Sequence, residues 1–336
     1  MNESPKSATL VEFLTQLHEH RVVPGSVYRL KMPEFERNGV AALPIKVGHV
    51  PTADTSATKL IVQFHGAIDQ TQRAVPFFQE LLPTRLESQD TLSLSIADES
   101  LERSTEIKSG WYQGSARFDL CGAITELVSR VSAQLRSQRL VFVGSSVGAH
   151  AALVQSYRFE NSCCVANNPI ANIGHYFESH RNAFLRNCWP GVEKVEDIGG
   201  SFINDCGDLY RQGHPNQLIV VQNPTDHHFH RQAIHFVQQL PWKGNSLMVS
   251  EFDPEVIGHR FNGLTLRRWS LAALSADGGT CLDIARRFHE LKNEAPVEEN
   301  VRSSETTISK RNEPSERWNQ DSAIASRLAA MAQQQG

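Results

Sequence analysis

The stretch RLVFVGSSVGAHAAL, Arg139 to Leu153, decides the fold. An apolar run of the kind that forms a strand buried on both faces ends in two serines between glycines. A run of small, helix-forming residues follows. A nucleophile on such a strand-to-helix turn sits in a strained backbone conformation. The residues two before and two after it must be small, because strand and helix pass close together there. Ser146 has Gly144 and Gly148 at those positions, whereas Ser145 would have Val143 and Val147, which would clash. The glycines therefore select Ser146, in a Gly-x-Ser-x-Gly pattern over 144–148. The alternative is a plain glycine turn in an ordinary α/β sheet.

Outward from this stretch, short apolar runs alternate with helical stripes. SVYRLKM and ALPIKVGHV read as strands, then KLIVQF (59–64), TLSLSIA (91–97), SCCVANN (162–168), QLIVVQN (217–223) and SLMVSEF (246–252). Residues 118–137 carry Leu120, Ile124, Leu127, Val131 and Leu135 at helical spacing, and 263–274 reads as another core helix. Residues 7–19 read as an amphipathic N-terminal helix, and the centre of TQRAVPFFQELLP (71–83) as helical. Alternating strands and helices predict a mostly parallel sheet covered on both faces, with right-handed crossovers. Catalytic groups then belong at the carboxyl ends of the strands.

The organisation expected is an N-terminal helix (1–20) and a main domain (21–275). An amphipathic helix (276–294) and a polar, disordered tail with a terminal helix (295–336) follow. Residues 170–216 make a connection rich in aromatics and long enough to form a partly helical cap over the site. The tail, polar and aperiodic over 291–320, is where a protein partner would attach.

A serine hydroxyl needs a base, and the base needs an orienting acid. Asp226 in VVQNPTDHHF follows a strand, and His259 in FDPEVIGHRF sits between the last strand and a helix. Both lie C-terminal to Ser146 in the order serine, acid, histidine. Asp253 competes as the acid, and His227, His228 and His230 compete as the base. The oxyanion of acyl transfer needs fixed donors. The N–H of Val147 is one, and the N–H of Ala67, in the loop His65-Gly66-Ala67 after strand 59–64, is the other. His65, Gly66, Trp111 and Tyr112 are expected to line the substrate site.

The 336 residues, 40% of them hydrophobic, suffice for one large core. A net charge of −4 gives no electrostatic footprint for nucleic acid or an anionic membrane. No apolar run reaches the roughly 18 residues of a spanning helix. The first twenty residues lack a cationic start and an apolar stretch, so no secretory signal is expected. Six cysteines without a CxxC pair read as buried thiols, which favours a reducing cytoplasm. Asp226, His228, His230 and His235 raise a metal alternative, but their spacing matches no zinc pattern and a solvated helix start with Asp226 as its N-cap explains them equally. No metal or cofactor is expected.

The HG loop at 65–66, GSSVG at 144–148, Asp226 after a later strand and His259 after the last together resemble the α/β-hydrolase superfamily over roughly residues 40–275. The resemblance implies an eight-stranded, mostly parallel sheet and metal-free Ser-His-acid acyl chemistry. In it Ser146 would be the nucleophile, His259 the base, Asp226 the acid, and Ala67 and Val147 the oxyanion donors. A narrower resemblance rests on FHGA, SIADESL, GWYQG and VANNPI. These words look like hydrolase-like bacterial proteins associated with surface glycans, including accessory-secretion proteins thought to acetylate glycans on exported adhesins. That implies a carbohydrate ester or acyl-transfer role. Two departures stand out: His150 close behind Gly148, and the histidine-rich loop around Asp226.

Three functions follow as expectations. The first is a serine-dependent ester hydrolase acting through an acyl-enzyme on a small-molecule or glycan ester. The second is an O-acyltransferase using the same residues, with a sugar hydroxyl in place of water. The third is a non-catalytic hydrolase-like binding protein of a glycan or secretion pathway.

Overall fold

The computed structural model describes residues 4–37, 41–51, 58–82, 90–241 and 244–294. The strands are β1 (Lys6–Thr9), β2 (Val27–Lys31), β3 (Ala42–Val47), β4 (Lys59–Phe64), β5 (Thr91–Ile96), β6 (Arg139–Ser145), β7 (Cys163–Asn167), β8 (Gln217–Gln222) and β9 (Ser246–Ser250). They form a single sheet in the order β1-β2-β3-β5-β4-β6-β7-β8-β9. Only the β2–β3 and β3–β5 pairings are antiparallel. The helices are α1 (Leu10–His18), α2 (Leu120–Leu135), α3 (Val147–Tyr157), α4 (Glu178–Cys188), α5 (Cys206–Tyr210), α6 (His235–Val237), α7 (Gly263–Ser275) and α8 (Cys281–Asn293).

The central strands read as unbroken apolar runs because each buries both faces, with alternate residues serving alternate cores. Leu140 and Phe142 of β6 enter the cluster that includes α2 and α3 residues, while Val141 and Val143 enter the one built with α7 and α8. Leu218 and Val220 of β8 divide from Ile219 and Val221 in the same way. The adjacent thiols of Cys163 and Cys164 likewise fall in different clusters, and all six cysteines are free and buried. Trp269 and Phe288 stack with ring centres 4.0 Å apart and join α7 to α8.

Three expectations on the fold are corrected. The sheet has nine strands rather than eight, because β1 pairs in parallel with β2. Its sequence KSAT has no apolar alternation to reveal it. The N-terminal helix is accordingly shorter, starting after Thr9, whose side chain and Glu12 form a reciprocal capping box. Residues 71–82 contain no helix; Pro76 follows a cis peptide bond there, and turns and bends occupy the segment. The tail at 295–336 lies outside the described residues. No described helix is long and apolar enough to cross a membrane.

The connection 170–216 carries α4, α5 and two short 3-10 turns. Its Ile173, Tyr176, Phe184, Leu185 and Ile198 form a third buried cluster with Trp111 and Val147. His150 anchors it from below. This fully buried ring on α3 lies 3.0 Å from the Ile170 carbonyl and 3.1 Å from that of Ile203. His150 therefore faces the connection, not solvent or the nucleophile, and burial pulls its pKa down to about 4.

Candidate active site

Ser146 stands between β6 and α3, as the N-cap of α3, with φ of +55°, a conformation disfavoured for a residue with a Cβ. Holding it costs about 1–3 kcal/mol, offset by the surrounding packing. A Cβ on Gly144 would run into the carbonyl of Gly148. A Cβ on Gly148 would stand 2.5 Å from the carbonyl oxygens of Phe64 and His65. The two glycines thus let α3 lie against the end of β4, the strand that delivers the His65 loop. Ser145 faces elsewhere: it is 7% exposed and its Oγ donates to Asn167 Oδ1 at 3.2 Å.

His259 Nε2 lies 2.7 Å from Ser146 Oγ, and His259 Nδ1 lies 2.8 Å from Asp226 Oδ2. The other Asp226 oxygen accepts the His228 N–H at 2.8 Å, and Gln222 Nε2 donates to Oδ2 at 3.2 Å. Burial alone would raise this carboxyl's pKa, but the His259 hydrogen bond and charge, with the His228 and Gln222 donors, hold it below the usual carboxylate range. An ionised Asp226 accepts from Nδ1–H, which leaves Nε2 free to take the serine proton. Asp253 is turned to other work: its oxygens accept from the Glu255 N–H and from Asn262 Nδ2. His228 comes close to His259 without contacting Ser146, its ring centre 4.9 Å from that of His259, and burial pulls its pKa down to about 3.

The proposed oxyanion donors face the same turn. Val147 opens α3, so its N–H has no intrahelical acceptor. Neither Val147 N–H nor Ala67 N–H bonds to protein among the described residues. The Ala67 N–H and the Gly66 carbonyl belong to one peptide plane and point in opposite directions. His65 holds that plane from behind. Its Nε2 accepts the Asp98 N–H at 3.2 Å, so its proton sits on Nδ1, which donates to Gly66 O at 2.6 Å. His65 is 2% exposed and burial lowers its pKa to about 4, so the ring is neutral near pH 7.

Tyr112 and Trp111 lie under the site instead of lining it. The Tyr112 hydroxyl accepts the His65 N–H at 2.8 Å and reaches the His65 and Ile96 carbonyls at 3.3 Å. Trp111 and Tyr112 both have positive φ, +51° and +58° respectively. The buried Asp98 carboxylate caps this turn by accepting the Tyr112 and Ser100 N–H groups at 3.1 Å each. Trp111 is wholly buried against Tyr176 and Phe184. The words SIADES and GWYQG are thus one knot that supports the His65 loop. Tyr176, from the 170–216 connection, was not foreseen at the site. Its hydroxyl comes near the Ser146 side chain, and burial pushes its pKa up to about 12. Only its place in an aromatic-rich segment pointed towards it.

The histidine-rich loop does not gather into a metal site. Asp226 is taken by His259, and His235 Nε2 pairs with Asp205 at 3.0 Å. Among the described residues no three His, Cys, Asp or Glu side chains converge as metal ligands. Asp226 is not the N-cap of the helix expected there: it accepts the His228 N–H within a turn, and the π-helix Phe229–Ile234 that follows has His228 at its N-cap.

No family model matches this chain, and a search of curated proteins finds no significant match. Among solved structures it is similar to Porphyromonas gingivalis dipeptidyl peptidase 4 at 11% identity and a TM-score of 0.48, covering 81% of this chain. The chain spans only 36% of that peptidase's length. It is similar to the capsule O-acetyltransferase of Neisseria meningitidis serogroup A at 15% identity and a TM-score of 0.48, covering 70% of this chain and 91% of that one. The values for an S-formylglutathione hydrolase from Agrobacterium tumefaciens are 12%, 0.49, 74% and 93%. The strand order, with helices on both faces of a mostly parallel sheet and a sharp strand-to-helix turn at Ser146, makes this an α/β-hydrolase-like fold.

Proposed function

We propose that the protein is a serine-dependent carboxylic ester hydrolase working through an acyl-enzyme. The observation that carries this is the continuous chain Ser146 Oγ–His259 Nε2 at 2.7 Å and His259 Nδ1–Asp226 Oδ2 at 2.8 Å. Ser146 Oγ attacks the ester carbonyl while His259 Nε2 takes its proton. Asp226 keeps the imidazole oriented and stabilises its charged form. The Val147 and Ala67 amides receive the oxyanion. The C–O bond to the alcohol then breaks, and His259 returns the proton to the leaving oxygen. Water, deprotonated by the same nitrogen, attacks the acyl-Ser146 carbonyl and releases the acid and the free serine.

A transfer reading uses the same steps with a glycan hydroxyl in place of water. It is favoured by one observation: Ser146 is only partly exposed, and the buried Tyr176 beside it narrows the access of water. The first test is labelling by a fluorophosphonate of the wild type, Ser146→Ala and Ser145→Ala. Labelling of all but Ser146→Ala is expected. Absence of labelling in the wild type would remove the hydrolase reading, and loss only in Ser145→Ala would move the nucleophile.

A further inference from the structure

A cavity of about 420 Å³ opens beside the nucleophile, where the 170–216 connection meets the π-helix. Its lining includes His175, Tyr176, Arg181, His230, Arg231 and His235. Tyr176 is shared: it walls this cavity, comes near Ser146, and its ring packs 5.2 Å from that of His228. No carboxylate lines it. Neither Arg181 nor Arg231 has a carboxylate partner within ion-pair distance among the described residues, although the chain as a whole is acidic. Arg181 Nε is buried and has no hydrogen-bond partner. Asp205, beside the lining His235, is occupied by His235 Nε2 at 3.0 Å, Asn172 Nδ2 at 2.8 Å and the Gly207 N–H at 2.8 Å, and the Glu196 carboxylate stands against Gly174 without lining the cavity. His175 Nδ1, 3.4 Å from the Arg231 carbonyl, ties the two walls together.

Arg181, half-buried, and Arg231, exposed, both border the cavity with no carboxylate in its lining, which leaves it a positively charged site that an anion would complement. Guanidinium forks match the oxygens of a phosphate, and the volume exceeds what one such group needs. We infer that this cavity binds a phosphate-bearing part of the substrate and thereby aligns the acyl carbonyl with Ser146. The inference rests on the ester hydrolase or acyl-transfer reading for its role, but not for the binding itself. The phosphate has two possible sources: the leaving group of an acyl donor, or a phosphorylated glycan.

The test is calorimetric titration of inorganic pyrophosphate into the full chain, using the wild type, Ser146→Ala and the double variant Arg181→Gln/Arg231→Gln. Equal binding by the first two and at least about tenfold weaker binding by the third is expected. Arg211→Gln, on the surface outside the cavity, should bind as the wild type does. Gln238→Glu adds a negative charge to the cavity wall without removing an arginine, and should weaken binding too. Thermal melting separates loss of the site from loss of the fold; if the double variant unfolds, Gln238→Glu decides. No binding by the wild type, or equal binding by every variant, overturns the inference. The source is read from KM with matched pairs: an acyl thioester with and without a diphosphate on its thiol, and an acetylated oligosaccharide with and without its phosphate. The pair whose phosphate lowers KM by about tenfold, in the wild type but not in the double variant, names it. Pyrophosphate binding without fluorophosphonate labelling would leave the cavity standing and remove the serine chemistry. Labelling without binding would do the reverse.

Discussion

At the scale of single residues, the chemistry depends on groups that never touch a substrate. Tyr112 is 1% exposed, yet it accepts the N–H of His65, whose ring in turn holds the Gly66 carbonyl. Tyr112→Phe keeps the packing and leaves that buried N–H unsatisfied, at about 1–3 kcal/mol. The expected result is a kcat about tenfold lower, with KM for a neutral ester little changed, because the Ala67 amide loses its aim while the substrate keeps its contacts. Steady-state kinetics on a simple aryl ester checks it; an equal fall in melting temperature with unaltered kcat would make Tyr112 a packing residue only. Tyr112 lay within the sequence reading as a pocket aromatic. Its real place depends on Asp98 and on two consecutive residues with positive φ, which no pattern in GWYQG announces.

At the scale of elements, the turn between β6 and α3 is the most constrained feature. A methyl on Gly148 would meet two backbone oxygens at 2.5 Å, and a backbone cannot swing aside as a side chain can. Gly148→Ala should push α3 from the end of β4, where both proposed oxyanion donors meet. The expected cost is about 3 kcal/mol of stability and at least about a hundredfold in fluorophosphonate labelling rate. Gly263→Ala is the control: nothing lies within 4 Å of its Cβ position, so a change within about 0.5 kcal/mol is expected in urea unfolding. The strand runs were legible because burial on both faces leaves little room for polar residues. Polar β1 and the non-helical segment before β5 were not, since one pairs through its backbone and the other follows its surroundings more than its own propensity.

At the scale of the whole molecule, buried titratable groups set how stability varies with pH. His65, His150 and His228 are held neutral by burial, with pKa values pulled from 6.5 to about 4, 4 and 3. The unfolded chain therefore binds more protons below pH 6.5, and the stability these groups contribute is lost as pH falls through their folded values. Glu99 works oppositely: burial raises it from 4.5 to about 7, so its contribution is present at low pH and is lost as pH rises through 7. Three histidines against one carboxyl leave a net difference of about two protons between pH 6.5 and 5, or up to about 4 kcal/mol. Urea midpoints should fall steeply from pH 6.5 to 5 and stay nearly level from 7 to 8. Glu99→Gln should raise the midpoint at pH 8 and not at pH 5. A flat profile across the acid range would mean that these rings take up protons without unfolding.

The sequence alone determined the sheet class and the strand-to-helix turn that carries Ser146, the proposed nucleophile. Both are local: a strand–turn–helix spans a dozen residues, and the glycines two before and two after Ser146 record a steric demand made within that span. It also narrowed the acid and base to a few candidates by their places after strand ends. Only the tertiary structure chose among them, bringing His259 to Ser146 across 113 positions and Asp226 to His259 across 33, while Asp253 turned to Asn262. Tyr176 near the serine and the two arginines of the cavity belong to the same category. They come from segments joined by packing, and the sheet alone sets which of its loops meet at one edge.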